Sequence, residues 1–473
     1  MDHCSYGSDR WQLVCGEFAG PEARAAELLY AGVSREVPYV LVAQRAADAD
    51  PSAASLLLVG TRESNPLLAR AVAAADIPPG GYLVRVLPSP FAPGRQVAVA
   101  AGSSAAQAIY AAAHFVAQYL PLARQNTGHV PYFRKLFCGP MPEYSAAEAP
   151  AFARRGIWTW GHCIYDYRRF AANMARLGLN AVTLWNDYAP LNLPAVVECF
   201  HSYGIQVIFG YSWAWDEPVD IGSPAELLRW RDQALAVYAR DYAAAGGDGI
   251  YIQSFTETDA EERNGVPIAE TVVNWVNTVG GAMLERWPGL EIQFGLHATS
   301  VRNRLPVIQG VDPRITIVWE DCGAFPYAYL PRAVEGEAET LAFTDAIAAL
   351  RPGCGCGAVL KGQVCLDWDR FEHQKGPFLL GCESREKARA RGGAIRAQWH
   401  DVQSYWLAHV GQCRRTLQHL QGACVVYDLV EDALLEEACW YPVALYAQLL
   451  WTPDLPDGEL LRRVAQRADV TLA

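Results

Sequence analysis

From Arg155 onward the chain repeats one beat eight times: a short apolar run rich in branched and aromatic residues, then a longer segment with helical spacing. The first pairs are GIWTW with YDYRRFAANMARLG, AVTLWND with LPAVVECFHSYG, and QVIFGYSW with SPAELLRWRDQALAVYARDYAAA. The beat continues through GIYIQSFTE, LEIQFGLH, ITIVWED, GAVLKGQ and GACVVYD, and its last helical partner is EEACWYPVALYAQLLW. Parallel strands need a crossover of about a dozen residues or more between them, and a helix of this length supplies it. Eight such units in about 300 residues predict an α/β fold, the (β/α)8 TIM barrel. One helix start is locally explained: Ser223 as N-cap, Pro224 at the first helical position and Glu226 three residues on form a capping box.

Residues 1–130 read as a small α/β accessory domain, with strands near 38–43, 55–60, 82–87 and 96–100 alternating with helical segments. Its last helix, from Ser104 to about Arg124, carries Ile109, Tyr110, Phe115, Val116 and Tyr119 as one apolar stripe, expected to pack on its own sheet. Residues 131–153, with Pro131, Pro140, Pro142 and Pro150, have linker composition, so the barrel is placed at 154–473.

Composition narrows the partners. A formal net charge of -12 argues against a nucleic-acid or acidic-membrane surface, because either needs a basic patch to meet phosphates. Apolar runs such as ASLLLVG and CVVYDLV are far too short to span a bilayer. The 13 cysteines are odd in number and scattered, and MDHCSYGSDR lacks the basic and apolar regions of a secretory signal, so a reducing cytoplasm is expected.

Barrel sites form where strands end, so the residues that follow each apolar run are the informative ones. They are Trp158, Trp160 and His162; Trp185, Asn186 and Asp187; Tyr211, Trp213 and Trp215; Gln253, Thr256 and Glu257; His297; Trp319, Glu320 and Asp321; Lys361 and Gln363; and Tyr427 and Asp428. Trp368 follows the seventh strand at a greater distance. Flat aromatic faces suit the C–H faces of a pyranose and the polar groups suit its hydroxyls, so the mixture reads as a carbohydrate pocket. The competing reading is that some tryptophans simply plug the barrel; about half are expected to line it.

Glycoside hydrolysis needs two carboxyl groups, one protonated and one ionised. Glu257, directly after the fourth strand, is the candidate acid, against a reading as a solvated loop carboxylate among Asp259, Glu261 and Glu262. Glu320 and Asp321 follow ITIVW and are the candidates for base or nucleophile, with a structural salt bridge to Arg302 or Arg304 as the alternative; Asp187 is third. Arg155 either makes a forked contact to sugar hydroxyls or a sugar carboxylate, or pairs with a carboxylate at the barrel's closed end. His162, His297 and His373 come without H-x-H or H-E-x-x-H spacing, and Cys354 and Cys356 without a second cysteine pair, so no metal is expected. No Walker or dinucleotide fingerprint is present, so no cofactor is expected either.

The runs LLLVGTRESNPLLARAV, GYLVRVL and VAVAAGSSAAQAIYAAAHFVAQYL resemble the small domain that precedes the barrel in β-hexosaminidases and microbial α-glucuronidases. RRGIWTWG, LGLNAVTLWND, YGIQVIFGYSW and the carboxylate after the fourth strand resemble the α-glucuronidase group, and ALYAQLLWTP resembles those families' last barrel helix. The resemblance implies an exo-acting glycoside hydrolase with Glu257 as general acid, Glu320 or Asp321 near the basic carboxylates after the sixth strand, inversion, and a uronic acid met by Arg155, Arg302, Arg304 or Lys361. Thr256 stands where hexosaminidases carry the Asp that steers the acetamido group, which speaks against their mechanism. Lys361-Gly362-Gln363 stands where a large group of retaining barrel glycosidases carries its nucleophile. The α-glucuronidases continue into a long helical domain beyond the eighth helix, so the resemblance does not imply the dimer contacts or substrate selection that domain supplies, and the oligomeric state stays open, a homodimer included. Two other classes remain: a sugar-binding barrel whose catalytic pair has decayed, and a metal-dependent hydrolase of a small molecule.

Overall fold

The computed structural model describes residues 10–127, 136–160, 164–211, 220–320, 337–353, 356–363, 376–382, 386, 404, 406–430 and 435–469. A first sheet takes six strands: β1 (Trp11–Cys15), β2 (Val42–Arg45), β3 (Ser55–Gly60), β4 (Tyr82–Pro88), β5 (Gln96–Gly102) and β6 (Tyr144–Glu148), in the order β2-β1-β3-β5-β4-β6. The pairs among β2, β1, β3 and β5 are parallel, and β4 runs antiparallel to both β5 and β6. The presence of β6 corrects the expected linker, because residues 144–148 supply an edge strand rather than a tether. The run WQLVC is also a strand that sequence periodicity did not separate from its surroundings.

The barrel strands are β7 (Arg155–Trp160), β8 (Ala181–Trp185), β9 (Gln206–Gly210) and β10 (Gly249–Gln253). A two-stranded ribbon, β11 (Glu262–Arg263) and β12 (Val266–Pro267), interrupts the series, and β13 (Glu291–His297), β14 (Ile315–Glu320), β15 (Cys356–Gln363) and β16 (Val426–Val430) complete it. All eight barrel strands pair parallel in chain order, and β16 closes on β7. Every apolar run of the repeated beat is therefore a barrel strand.

Caps punctuate the beat. Asp166 accepts from the backbone N–H of Arg168 and Arg169 at 3.1 Å and starts the helix Tyr167–Leu177, and Gly178, at φ 79°, ends it in the left-handed conformation. Ser223 accepts from the Glu226 N–H at the start of Pro224–Val237, as the sequence leads one to expect, while the Glu226 carboxylate turns to Arg229.

Inside the barrel the filling is aromatic. Trp158, Trp185, Tyr251 and Tyr427 pack with Ile208, Val318, Val359 and Leu429, and three of the rings lean over a glycine on the neighbouring strand. A Cβ on Gly156 would lie 2.3 Å from the Tyr427 ring, one on Gly210 2.1 Å from the Trp185 ring, and one on Gly295 2.4 Å from the Tyr251 hydroxyl. Glycine within a strand often marks such a close approach. Below the rings the closed end is polar: Arg154 pairs with Glu291, and the Gln293 amide donates to Glu291 at 2.8 Å and to the Tyr427 hydroxyl at 2.9 Å.

The first sheet is fastened to the barrel by a buried cluster around Trp451, the last residue of the helix Tyr441–Trp451. Its ring lies 5.3 Å from Tyr82 and 5.5 Å from Tyr110. The stripe of the helix Ala105–His114 thus faces the barrel as well as its own sheet. Nearby, the Tyr82 hydroxyl donates to Glu148 at 2.7 Å and accepts from His114 Nδ1 at 2.9 Å, which leaves Nε2 to accept from the Tyr144 hydroxyl at 2.7 Å. Burial pushes the His114 imidazole down to about 4, against the pull of Glu148.

Candidate active site

The strand alternation decides which residues reach the barrel mouth. On β10, Tyr251 points inward and Ile252 outward; on β14, Val318 points inward and Trp319 outward. Glu320 therefore returns to the interior, and its Oε1 accepts from the Tyr251 hydroxyl at 2.8 Å while its Oε2 lies 2.9 Å from His297 Nε2. The same nitrogen lies 3.8 Å from Glu257 Oε1. The Gln253 amide donates to the other Glu257 oxygen at 3.2 Å. Four strand-end residues that sequence singled out, Gln253, Glu257, His297 and Glu320, are thus brought together.

Their burial differs sharply. Glu320 and His297 are 2% exposed, whereas the Glu257 side chain is 49% exposed. Glu257, Gln253, Phe255 and Arg263 line a cleft of about 380 Å³ between the loop after β10 and the β11–β12 ribbon. That loop is tied down by Thr256, whose Oγ1 accepts from the His297 N–H at 3.2 Å and whose carbonyl accepts from the Ser300 hydroxyl at 2.8 Å. Tyr251 and Ser300 belong to this site and were not among the sequence candidates. Burial holds the Tyr251 phenol well above its ordinary range, with the Glu320 charge adding to it, so it stays a donor.

Several expectations are corrected. Arg155, for which a sugar contact and a carboxylate pair at the closed end were both open, stands at the N-terminal end of β7, is 1% exposed, and meets backbone carbonyls in place of either. It donates to the carbonyls of Gly178 at 2.8 Å, Phe152 at 2.7 Å and Ala153 at 2.9 Å, and its guanidinium lies 4.9 Å from the Trp451 ring. Trp319 faces away from the mouth and stacks on Phe343 of the helix Glu337–Leu350 at 6.4 Å. Trp158 and Trp185 are buried floor, 5.6 and 6.1 Å from the Tyr251 ring, and offer no open face to a ligand. Arg302 pairs with Glu339 at 3.1 Å and Arg304 with Glu270, so neither guanidinium is free for a sugar carboxylate.

Asn186 is buried just past the tip of β8, and Asp187 beside it is partly exposed. The side chains of Trp160 and Lys361, and all of His162, Trp213, Trp215, Asp321, Trp368 and His373, lie outside the described residues. Among the described residues no group of three or more His, Cys, Asp or Glu could hold a metal, and no helix is long and apolar enough to cross a membrane.

No family model matches the chain, and no curated protein matches it. Among solved structures it is similar to a GH138 enzyme targeting pectin rhamnogalacturonan II, with a TM-score of 0.52 and 10% identity over 95% of this chain and 52% of that one. It is likewise similar to CpGH84D, with a TM-score of 0.53 and 11% identity over 95% of this chain and 67% of that one. The chain therefore spans about half the length of the first of these. At such identities the likeness is one of fold, the closed eight-stranded barrel with a separate sheet beside it.

Proposed function

We propose that this protein is a glycoside hydrolase and that Glu257 is its general acid. The observation that carries the reading is a half-exposed carboxyl at the open end of the fourth barrel strand, beside a cleft, hydrogen-bonded by the Gln253 amide and 3.8 Å from His297 Nε2. In this reading Glu257 gives its proton to the glycosidic oxygen as the bond to the anomeric carbon breaks and the electron pair leaves with the aglycone, while the oxygen of a water molecule bonds to that carbon and its proton passes to a second carboxylate. The fold likeness to an enzyme described as targeting a pectin supports a carbohydrate substrate.

The finer terms of the reading are an exo-acting enzyme on a small glycoside and a uronic acid among the first sugars to try. Arg263, on the ribbon, lines the cleft, and among the described residues it has no ion pair, so a substrate carboxylate would find a partner there. Asp187 is the partly exposed carboxylate nearest the β8 tip and is the described candidate for the second role.

The test is a panel of aryl glycosides, uronides included, with Glu257→Gln beside the wild type. Turnover of substrates with poor leaving groups should fall by roughly 10²–10⁴-fold while the fold is retained. Activity equal to the wild type would remove Glu257 as the acid. The second reading, a barrel that binds a sugar without cleaving it, draws on the burial of Glu320, and calorimetric binding without aglycone release for every sugar tried would favour it.

A further inference from the structure

Two carboxylates that work on one sugar must stand on either side of the reacting carbon, with room between them for the ring or for a water. Glu257 and Glu320 do not fit that description. Both meet the same His297 Nε2, at 3.8 and 2.9 Å, so the imidazole edge occupies the space between them. Their facing oxygens are separated by no more than the sum of those distances, a span that includes the roughly 5–5.5 Å of retaining pairs and only touches the roughly 6.5–9.5 Å of inverting ones, so it is the ring between them and not the distance that sets them apart from a reacting pair. Glu320 is also 2% exposed, and each of its oxygens already has a partner, in Tyr251 and His297. To attack a sugar it would have to break both contacts and displace the ring.

Resting on the glycosidase reading, we propose that Glu320 is not the second reacting carboxylate but a positioning residue, which fixes the His297 ring against Glu257 and sets a carboxylate on the far side of that ring. Because Nε2 faces two acceptors it carries a hydrogen, directed in the resting state at the nearer oxygen of Glu320. When Glu257 has given up its proton it becomes the stronger acceptor, and as its half-exposed side chain closes the 3.8 Å gap the same N–H can pass to it without leaving Glu320 unpartnered, since Tyr251 still donates there. Thr256, through the His297 N–H, fixes the loop on which Glu257 rides. Around the array stand Tyr251 of β10, His297 of β13, Glu320 of β14 and, beside Tyr251, Tyr427 of β16, with Glu257 on the solvent side.

Interacting groups lose their protons in macroscopic steps that belong to the set. Replacing a buried carboxylate by an amide makes the whole set one charge more positive. The last proton then leaves at lower pH, whichever member carried it.

The decisive variant is Glu320→Gln, compared with wild type on alkyl and dinitrophenyl glycosides. A positioning role predicts an alkaline limb of kcat/KM moved about one unit to lower pH. Turnover of the alkyl glycoside should fall roughly 10²-fold and that of the activated one less than tenfold, because a good leaving group needs little protonation. A nucleophile or base would instead lose both substrates alike, and azide would restore turnover as a glycosyl azide; either result overturns the proposal. Tyr251→Phe removes a donor to Glu320 and leaves its charge less stabilised, so it should move the limb the opposite way, to higher pH and by less, and an unmoved limb in both variants would also overturn the proposal. The ¹⁵N shift of His297 Nε2 in the wild type and in E320Q reads the change of its partner without turnover, and an unchanged shift would count against the contact. Failure of the glycosidase reading and failure of this one are thereby kept apart.

Discussion

Replacing Arg155 with alanine separates a structural arginine from a sugar-binding one. The guanidinium donates three hydrogen bonds to the carbonyls of Phe152, Ala153 and Gly178 and lies over the Trp451 ring, all at the joint between the first sheet and the barrel. Hydrogen bonds with a charged partner contribute about 1.5–3 kcal/mol each, and a desolvated cation–π contact about 2 kcal/mol. Several kcal/mol of guanidinium desolvation stand against them, so the net loss should be about 3–5 kcal/mol, the usual cost of breaking a buried charged set. For 473 residues the entropy of unfolding is about 1 kcal/mol per kelvin, so the thermal midpoint should fall by about 3–5 °C. Arg155→Lys keeps the charge but not the fork and should recover only part of this. A melt followed by circular dichroism gives the midpoint, and KM for any glycoside turned over should stay within about twofold because the residue lies at the closed end. A midpoint lowered by less than about 1 °C together with a tenfold rise in KM would return Arg155 to the substrate pocket and refute the reasoning.

Two further outcomes are expected. Gly295→Ala would place a Cβ 2.4 Å from the Tyr251 hydroxyl and 2.7 Å from Glu320 Oε1, so it should lower kcat by about 10–100-fold through misplacement while costing about 1–3 kcal/mol of stability, read by steady-state kinetics and a melt. His114 is held neutral to about pH 4 in the fold, whereas the unfolded chain binds that proton near pH 6.5, so its contribution is whole above about 6.5 and is lost at about 1.4 kcal/mol per unit as pH falls towards 4. Urea midpoints taken between pH 7 and about 4.5 should therefore show a shallower slope in His114→Gln, and parallel slopes would contradict the burial argument.

The barrel was legible because each of its strands is a short apolar run and most are followed by a helix of crossover length, the exception being the 3-10 segment Ala298–Arg304 and the single turn Leu305–Ile308 after β13. The edge strand Tyr144–Glu148 was not, because YSAAE pairs through its backbone and has few branched side chains to announce it. At the site, Glu257, Gln253, His297 and Glu320 could be found by asking what ends each strand. What could not be read was the facing of ITIVWE: both sides of a barrel strand are buried, so nothing in its polarity says that Trp319 turns to the helices while Glu320 turns to the mouth. Arg155 was open to correction from direction alone, since it begins its strand and so belongs to the opposite end from Glu257. Tyr251 had one signal, the glycine of QFGLH on the next strand, which leaves space for its hydroxyl.

The pairing of large rings with missing side chains has a consequence for how this chain can diverge. Tyr427 with Gly156, Trp185 with Gly210 and Tyr251 with Gly295 each divide one fixed volume between two strands, so neither member can grow or shrink alone without a clash or a hole. Across related sequences these positions should drift in couples, the bulk passing from one strand to its neighbour. A lineage that exchanged the members of a couple would keep the plug and tilt the bottom of its cup, altering the shape of what fits above without touching a single reacting group.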